Sequence, residues 1–168
     1  METRMKRNGQ KYRLLRKREA SVFGFDDNGD IVERYDGIDA GKASPLVTAY
    51  IGDAYYHLFV RKRMLSYEQS RVEILHGFCA RIVSAPWQAR AYERIEGSLT
   101  DEERDLFRRG RNAHSHAPRA ATFKEYHMST GFESVLGTLY LTGRLQRLDE
   151  ICEASFQAVV HDMMSEEK

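Results

Sequence analysis

An all-α fold with an N-terminal β-hairpin extension is the class this 168-residue sequence predicts. Three observations lead there. Apolar residues recur at helical spacing from residue 44 onward. Helix start and stop signals punctuate that pattern at short intervals. β-Formers cluster only once, around an Asn-Gly turn. The length fits one domain plus an extension and is sufficient to bury a core. We therefore expect a basic arm and hairpin over residues 1–43 and a helical domain over 44–168, with no internal repeat.

The hairpin reading rests on Val22-Phe23-Gly24-Phe25, the turn Asp26-Asp27-Asn28-Gly29, and Ile31-Val32-Glu33-Arg34-Tyr35. Asn and Gly both tolerate the positive φ of a tight turn. Residues 36–42, with Gly37 and Gly41, read as a linker. Ser44-Pro45 opens the first core helix, an N-cap hydroxyl before a proline at the first helical position. That helix runs to about Arg63 and is apolar nearly all round, which predicts a central element. Residues 70–84 form the next helix, with Ile74, Leu75, Phe78, Cys79, Ile82 and Val83 inward, and Pro86 predicts a break at Ala85. Trp87 to Ile95 follows. Thr100-Asp101-Glu102-Glu103 starts a short helix through a capping box, ending at Arg108-Arg109-Gly110. Residues 111–122 read as a loop and Lys124 to His127 as a short turn. The next helix, from Thr130 to Leu141, turns Phe132, Val135, Leu136, Leu139 and Tyr140 to one face. Gly143 suits its C-cap. The last helix carries Leu145, Leu148, Ile151, Cys152, Phe156, Val159 and Val160.

The net charge of +1 points to no partner, but its distribution does. Residues 1–18 carry Arg4, Lys6, Arg7, Lys11, Arg13, Arg16, Lys17 and Arg18 against one acid, Glu2. A second cluster is Arg104, Arg108, Arg109, Arg111 and Arg119. Clustered charge lets a near-neutral protein grip a polyanion, and a solvated tail is the alternative for the first cluster. Cys79 and Cys152 lack metal-ligand spacing; they read as buried thiols of a reducing, cytoplasmic compartment. No run reaches the length of a membrane span, and the basic N-terminus lacks the apolar segment of a secretory signal.

Two acids stand in apolar helical pattern. Asp53 has no Lys or Arg three or four residues away; those positions are Ala49, Tyr50, Tyr56 and His57. An unpaired buried carboxylate is costly, so Asp53 is a cap, a satisfied buried acid, or a group that holds a cation or metal. Glu133 closes Thr130-Gly131-Phe132-Glu133, which matches a capping box, and from spacing alone that plain reading prevails. The pattern holds no Ser-His-Asp or Cys-His arrangement and no phosphate-cradling glycine loop.

The order of motifs decides between these readings. Ala49-Tyr50-Ile51-Gly52-Asp53-Ala54 resembles the start of the ribonuclease III catalytic domain. Leu75-His76, Val83-Ser84-Ala85 with Gln88-Ala89, Arg108-Arg109-Gly110-Arg111-Asn112-Ala113, and Ser129-Thr130-Gly131-Phe132-Glu133 with Gly137 and Tyr140-Leu141 resemble its compact bacterial branch, Mini-ribonuclease III. The likeness spans roughly residues 45–155. It implies the helical ribonuclease III catalytic-domain fold. It also implies a homodimeric endoribonuclease that cuts double-stranded RNA with Mg²⁺, leaves 5′-phosphate and 3′-hydroxyl ends, and matures the paired ends of precursor 23S ribosomal RNA.

By the same likeness Asp53 and Glu133 are the catalytic and metal-binding acids. The longer enzymes have further acids where this chain has Leu46, Ala49 and Thr130, so the site is a sparse one. A-form RNA exposes phosphates, 2′-hydroxyls and shape rather than bases. Arg108, Arg109, Arg111, Asn112, His114 and Arg119 are the expected RNA contacts, His114 standing where lysine is common. The chain length leaves no room for a separate double-stranded-RNA-binding domain. Residues 1–43 have no counterpart in the resemblance; an RNA arm, a dimer strap and a ribosomal-protein contact are the readings open to them. The rival functional reading is a catalytically idle RNA-binding module of ribosome assembly, and a third is a helical interaction protein.

Overall fold

One helix, Phe123–Leu141, is the hub around which the others pack. In the computed structural model, which describes residues 18–19, 22–113 and 122–166, the helical elements are α1 (Pro45–Met64), α2 (Val72–Ile82), α3 (Ala85–Ile95), α4 (Asp101–Arg111), α5 (Phe123–Leu141) and α6 (Leu145–Glu166), with a 3₁₀ turn at Glu96–Ser98. Helix α5 touches α1, α3, α4 and α6, most extensively α1. From Ser129 to Leu139 every residue of α5 is buried except Glu133. The chain divides into two compact units, residues 1–38 and 39–168.

The core follows from helical periodicity. Tyr56, Val60, Phe132, Val135, Leu136, Leu139, Leu148, Ile151, Phe156 and Val159 are all at most 2% exposed, and each large apolar side chain so buried contributes about 1.5–3 kcal/mol. Tyr56 meets Phe132 edge-on at 5.3 Å, and Tyr92 stacks on Phe107 between α3 and α4.

Several expectations hold in detail. Ser44 caps α1 by accepting from the Leu46 amide, with proline in the first turn. Thr100 and Glu103 form the capping box of α4. Gly143 adopts φ 71° after α5, and the Arg144 amide returns to the Leu139 carbonyl, as a helix stop requires. Cys79 and Cys152 are buried free thiols.

Others are corrected. Helix α5 begins at Phe123, not Thr130, because Thr122 and Glu125 form the working capping box one helical stretch upstream. Helix α4 continues through Gly110 to Arg111, because Gly110 packs directly on the α5 backbone at Thr130 and Gly131. The break between α2 and α3 falls at Val83-Ser84, and Ala85 is already helical. Pro86 sits in the first turn of α3, where its missing amide hydrogen is no loss. Helix α1 buries one stripe, Thr48, Ala49, Gly52, Tyr56, Val60 and Met64, while Tyr50 and Leu58 are exposed, so α1 is not the central element. The inner face expected for α2 is only half covered, with Cys79 and Ile82 buried and Phe78 exposed.

In the N-terminal unit, β1 (Gly24–Phe25) pairs antiparallel with β2 (Ile31–Val32). In the hairpin turn Gly29 takes positive φ and Asn28 does not, because Asp26 Oδ1 accepts from the Asn28 and Asp30 amides and forms the loop instead. Phe25, Ile31 and Tyr35 are exposed.

Candidate active site

Helices α1 and α5 cross in backbone contact, and the crossing sets the site. A Cβ on Gly52 would lie 1.9 Å from the Glu133 carbonyl oxygen, and one on Gly137 would lie 1.8 Å from the Thr48 carbonyl oxygen. Beside the crossing, the buried hydroxyls of Thr48 and Ser134 share a 2.9 Å hydrogen bond. Residues that follow Gly52 on α1 and surround Gly137 on α5 are thereby fixed against one another.

Asp53 and Glu133 are such a pair. The crossing sets Asp53 near enough to Glu133 for its negative charge to act on it. Burial first, and the negative charge of Asp53 second, push the Glu133 carboxyl up to about 8, while the Gln88 carboxamide acts in the opposite sense. No lysine or arginine among the described residues acts on Glu133 to offset its charge. Asp53 has the neighbour anticipated from its spacing: His57 Nε2 lies 3.3 Å from Asp53 Oδ1. Glu133 is a mid-helix residue, so the capping-box reading fails; Thr130 Oγ1 donates instead to the Tyr126 carbonyl oxygen. Ala49 and Thr130, which stand where the longer enzymes have further acids, are buried and uncharged.

Two neighbouring carboxyls, with no lysine or arginine acting on Glu133 and only the His57 imidazole beside Asp53, suit a divalent ion, since hard cations take oxygen ligands. Among the described residues no group of three or more His, Cys, Asp or Glu side chains converges, so a cation beside Glu133 would meet at most two protein carboxyls. Mg²⁺ retains several waters and commonly needs only one or two carboxylates beside substrate phosphate. The donor set therefore fits that ion.

The basic residues expected to contact RNA gather at the end of α4. Arg108, Arg109, Arg111 and Asn112 are exposed at the helix C-terminus. Arg108 pairs with Asp105 one turn back, and Arg111 Nε donates to Asn112 Oδ1 at 3.3 Å. Arg104, of the same cluster, is structural: it donates to Asp101 and to the Leu99 and Glu96 carbonyls. His127 Nδ1 meets the Arg111 carbonyl oxygen at 2.7 Å and ties the end of α4 to the first turns of α5. His114 and Arg119 lie outside the described residues.

The Ribonuclease III domain family matches residues 46–144, a span that includes Asp53, Glu133 and the basic end of α4. Over 142 residues the chain is 39% identical to a Mini-ribonuclease 3 from Thermoanaerobacter sp. (strain X514), covering 84% of this chain and 98% of that protein. The chain belongs to the Mini-ribonuclease 3 family.

A second relative, the Mini-ribonuclease 3 of Symbiobacterium thermophilum, is 46% identical over 112 residues, 66% of this chain and 86% of that one. A crystal structure of a Fusobacterium nucleatum protein superposes with a TM-score of 0.63 at 27% identity, covering 69% of this chain and 93% of that one. Family membership makes the chain an endoribonuclease with a ribonuclease III domain. No described helix is long and apolar enough to cross a membrane.

Sequence reasoning assigned no role to Gln88, which is 1% exposed beside Glu133. Its signal was present: a polar residue at a stripe position of α3, with Ala91, Tyr92 and Ile95 following at helical spacing.

Proposed function

We propose that this chain is a Mg²⁺-dependent endoribonuclease that hydrolyses double-stranded RNA, with Asp53 and Glu133 as its metal-binding acids. The observation that carries the reading is the backbone crossing of α1 and α5 at Gly52 and Gly137, which sets Asp53 near enough for its charge to act on Glu133 with no lysine or arginine among the described residues acting on Glu133 in return. Asp53 and Glu133 would hold the ion, Glu133 as its carboxylate. Bound there, Mg²⁺ supplies charge neutralisation at the scissile phosphate and acidifies water for in-line attack. Arg108, Arg109, Arg111 and Asn112, together with His114 and Arg119, take the neighbouring phosphates and hold the duplex in register. The leaving oxygen is the ribose 3′-oxygen, so the products carry 5′-phosphate and 3′-hydroxyl ends.

The working unit in this reading is a homodimer. Between α1 and α2, Leu58, Leu65, Val72, Leu75 and Cys79 line a groove of ≈ 320 Å³ edged by Arg61, Lys62 and His76, and Tyr50 and Phe78 are also exposed on these helices. A second copy of the same face is the occupant that such a surface suits. The substrate is the paired ends of precursor 23S ribosomal RNA, a choice supported by the motif run that marks the compact branch. The N-terminal unit, with Phe25, Ile31 and Tyr35 exposed, is the surface offered to a ribosomal protein. Buried free thiols suit the reducing cytoplasm.

The test is incubation of the purified protein with long double-stranded RNA, with Mg²⁺ or with EDTA. The expected result is cleavage with Mg²⁺ alone, and loss of activity by several kcal/mol of barrier, about 10³-fold, in Asp53→Asn and Glu133→Gln. RNA binding without cleavage by the wild type would leave the idle assembly module as the reading. Cleavage by both variants at the wild-type rate would remove the acids from the site.

A further inference from the structure

The last turn of α4 is closed by a side chain from another helix. The Asn112 amide donates to the Arg108 carbonyl and the Ala113 amide to the Gly110 carbonyl, both at 3.1 Å. Asn112 stays in the right-handed region, at φ −91°, so α4 ends without the left-handed residue that follows α5 at Gly143. The Arg111 carbonyl oxygen lies 2.7 Å from His127 Nδ1. A carbonyl only accepts, so Nδ1 carries the hydrogen and Nε2 of the neutral ring is a bare acceptor. Nε2 is buried with no partner. The ring also packs on Phe123, with centroids 4.2 Å apart. Phenylalanine would give that packing without an orphaned nitrogen, which is unfavourable when buried. The donor at Nδ1 is what histidine adds here.

Helix α4 is clamped on α5 at Gly110, where a Cβ would stand 2.9 Å from the Thr130 carbonyl oxygen. Arg111 and Asn112 lie past that clamp and are exposed. His127 reaches them from the start of α5, which the Thr122–Glu125 box fixes. Glu133 follows on the same helix, about 9 Å further along its axis. We propose that His127 is the positioning residue of the RNA-contact end of α4: its Nδ1–H, on the Arg111 carbonyl, sets the phosphate-binding side chains at a fixed distance from the acids. The inference rests on the reading of Arg109 and Arg111 as phosphate contacts. A fixed distance matters because a misplacement of about 1 Å can cost about 10²-fold in rate.

Two substitutions separate the donor from the ring. His127→Phe keeps the ring and loses the donor. His127→Asn loses the ring and keeps a nitrogen donor at the δ position. The measurement is affinity for a labelled RNA duplex in EDTA, without catalysis, with circular dichroism and thermal melts to establish folding. His127→Phe should bind roughly 3–10-fold more weakly than wild type, the worth of one hydrogen bond. His127→Asn should bind within about twofold of wild type. Wild-type binding by His127→Phe, or equal weakening of both variants, overturns the role of His127. Arg109→Ala and Arg111→Ala report on the track itself. Wild-type binding by both of these overturns the track reading and this inference with it. The unsubstituted protein provides a test that needs no folded variant. Long-range proton–nitrogen NMR should find the His127 hydrogen on Nδ1. A hydrogen on Nε2 with Nδ1 bare overturns the proposal.

Discussion

Gly52 lies so close to the main chain of Glu133 that a Cβ there would stand 1.9 Å from the Glu133 carbonyl oxygen. Neither wall can yield, since both are helix backbone. The crossing that brings Asp53 to Glu133 therefore depends on a hydrogen at Gly52 as well as on the acids. Gly52→Ala should destabilise the fold by about 3 kcal/mol, the upper end for overpacking, read as a fall of roughly 6–12 °C in Tm. Gly77, exposed within α2 with open space where a Cβ would stand, is the control. Gly77→Ala should leave stability unchanged or raise it by about 0.5–1 kcal/mol.

Metal-free protein should lose stability as pH rises from the ordinary glutamate value of 4.5 toward about 8. In that window folded Glu133 keeps a proton that the unfolded chain releases, so the folded state binds more protons and rising pH favours unfolding. Glu133→Gln removes the group. In EDTA the variant should melt with wild type near pH 4 and above it near pH 8, by at least about 1 kcal/mol or roughly 2–4 °C. Added Mg²⁺ should narrow the difference. Equal pH slopes for the two proteins would mean that Glu133 is ionised in the folded state.

Glu103 shows the opposite case. It is 2% exposed, and both its oxygens accept from Arg147 of α6, at 2.9 and 3.0 Å. The guanidinium holds its carboxyl below the usual range despite burial. Its contribution to stability is present above the ordinary value of 4.5 and is lost as pH falls through the depressed folded value. Arg147→Met should cost about 3–5 kcal/mol at neutral pH by stranding a buried charge. The deficit in denaturation midpoint should shrink on acidification.

Leu58 and Val72 share the exposed apolar groove of α1 and α2. If a second copy covers it, a charge there is buried unpaired on association. Leu58→Glu should convert a dimer to a folded monomer in sedimentation or light scattering, with its helical circular dichroism retained. A wild-type protein that is already monomeric at micromolar concentration would remove the groove from the dimer reading.

Much of the helical order was legible in residues because it is local: Ser44-Pro45, the Thr100–Glu103 box and Gly143 each act within one turn. The start of α5 was not. Lys124, Glu125, Tyr126 and His127 carry no apolar stripe, and two Thr-x-x-Glu boxes lie eight residues apart, at Thr122 and Thr130. Periodicity favoured the one nearer the apolar run; the hydrogen bonds of Thr122 show the other at work. That Asp53 and Glu133 meet was also beyond spacing, because it depends on two glycines eighty-five residues apart packing backbone to backbone. Motif order implied the meeting; only the helix crossing explains it. The exposed half of α1 read as core for a related reason, since periodicity reports an apolar face without saying what covers it.

Arg109 and Arg111 are exposed at the C-terminal end of α4, and among the described residues neither forms an ion pair of the kind that engages Arg104 and Arg108. A phosphate contact releases counterions, so its loss shows as salt dependence and not only as affinity. Arg109→Ala and Arg111→Ala should each weaken binding to duplex RNA and lower the slope of log K against log salt by about 1. Melting temperatures should stay within about 2 °C, because surface substitutions away from packed features change stability little. Arg104→Ala should behave in the reverse way: its guanidinium serves the Leu99 and Glu96 carbonyls, so it should lower Tm and leave the salt slope unchanged. A slope that falls for Arg104 and not for Arg109 or Arg111 would move the RNA track away from the end of α4 and toward its start.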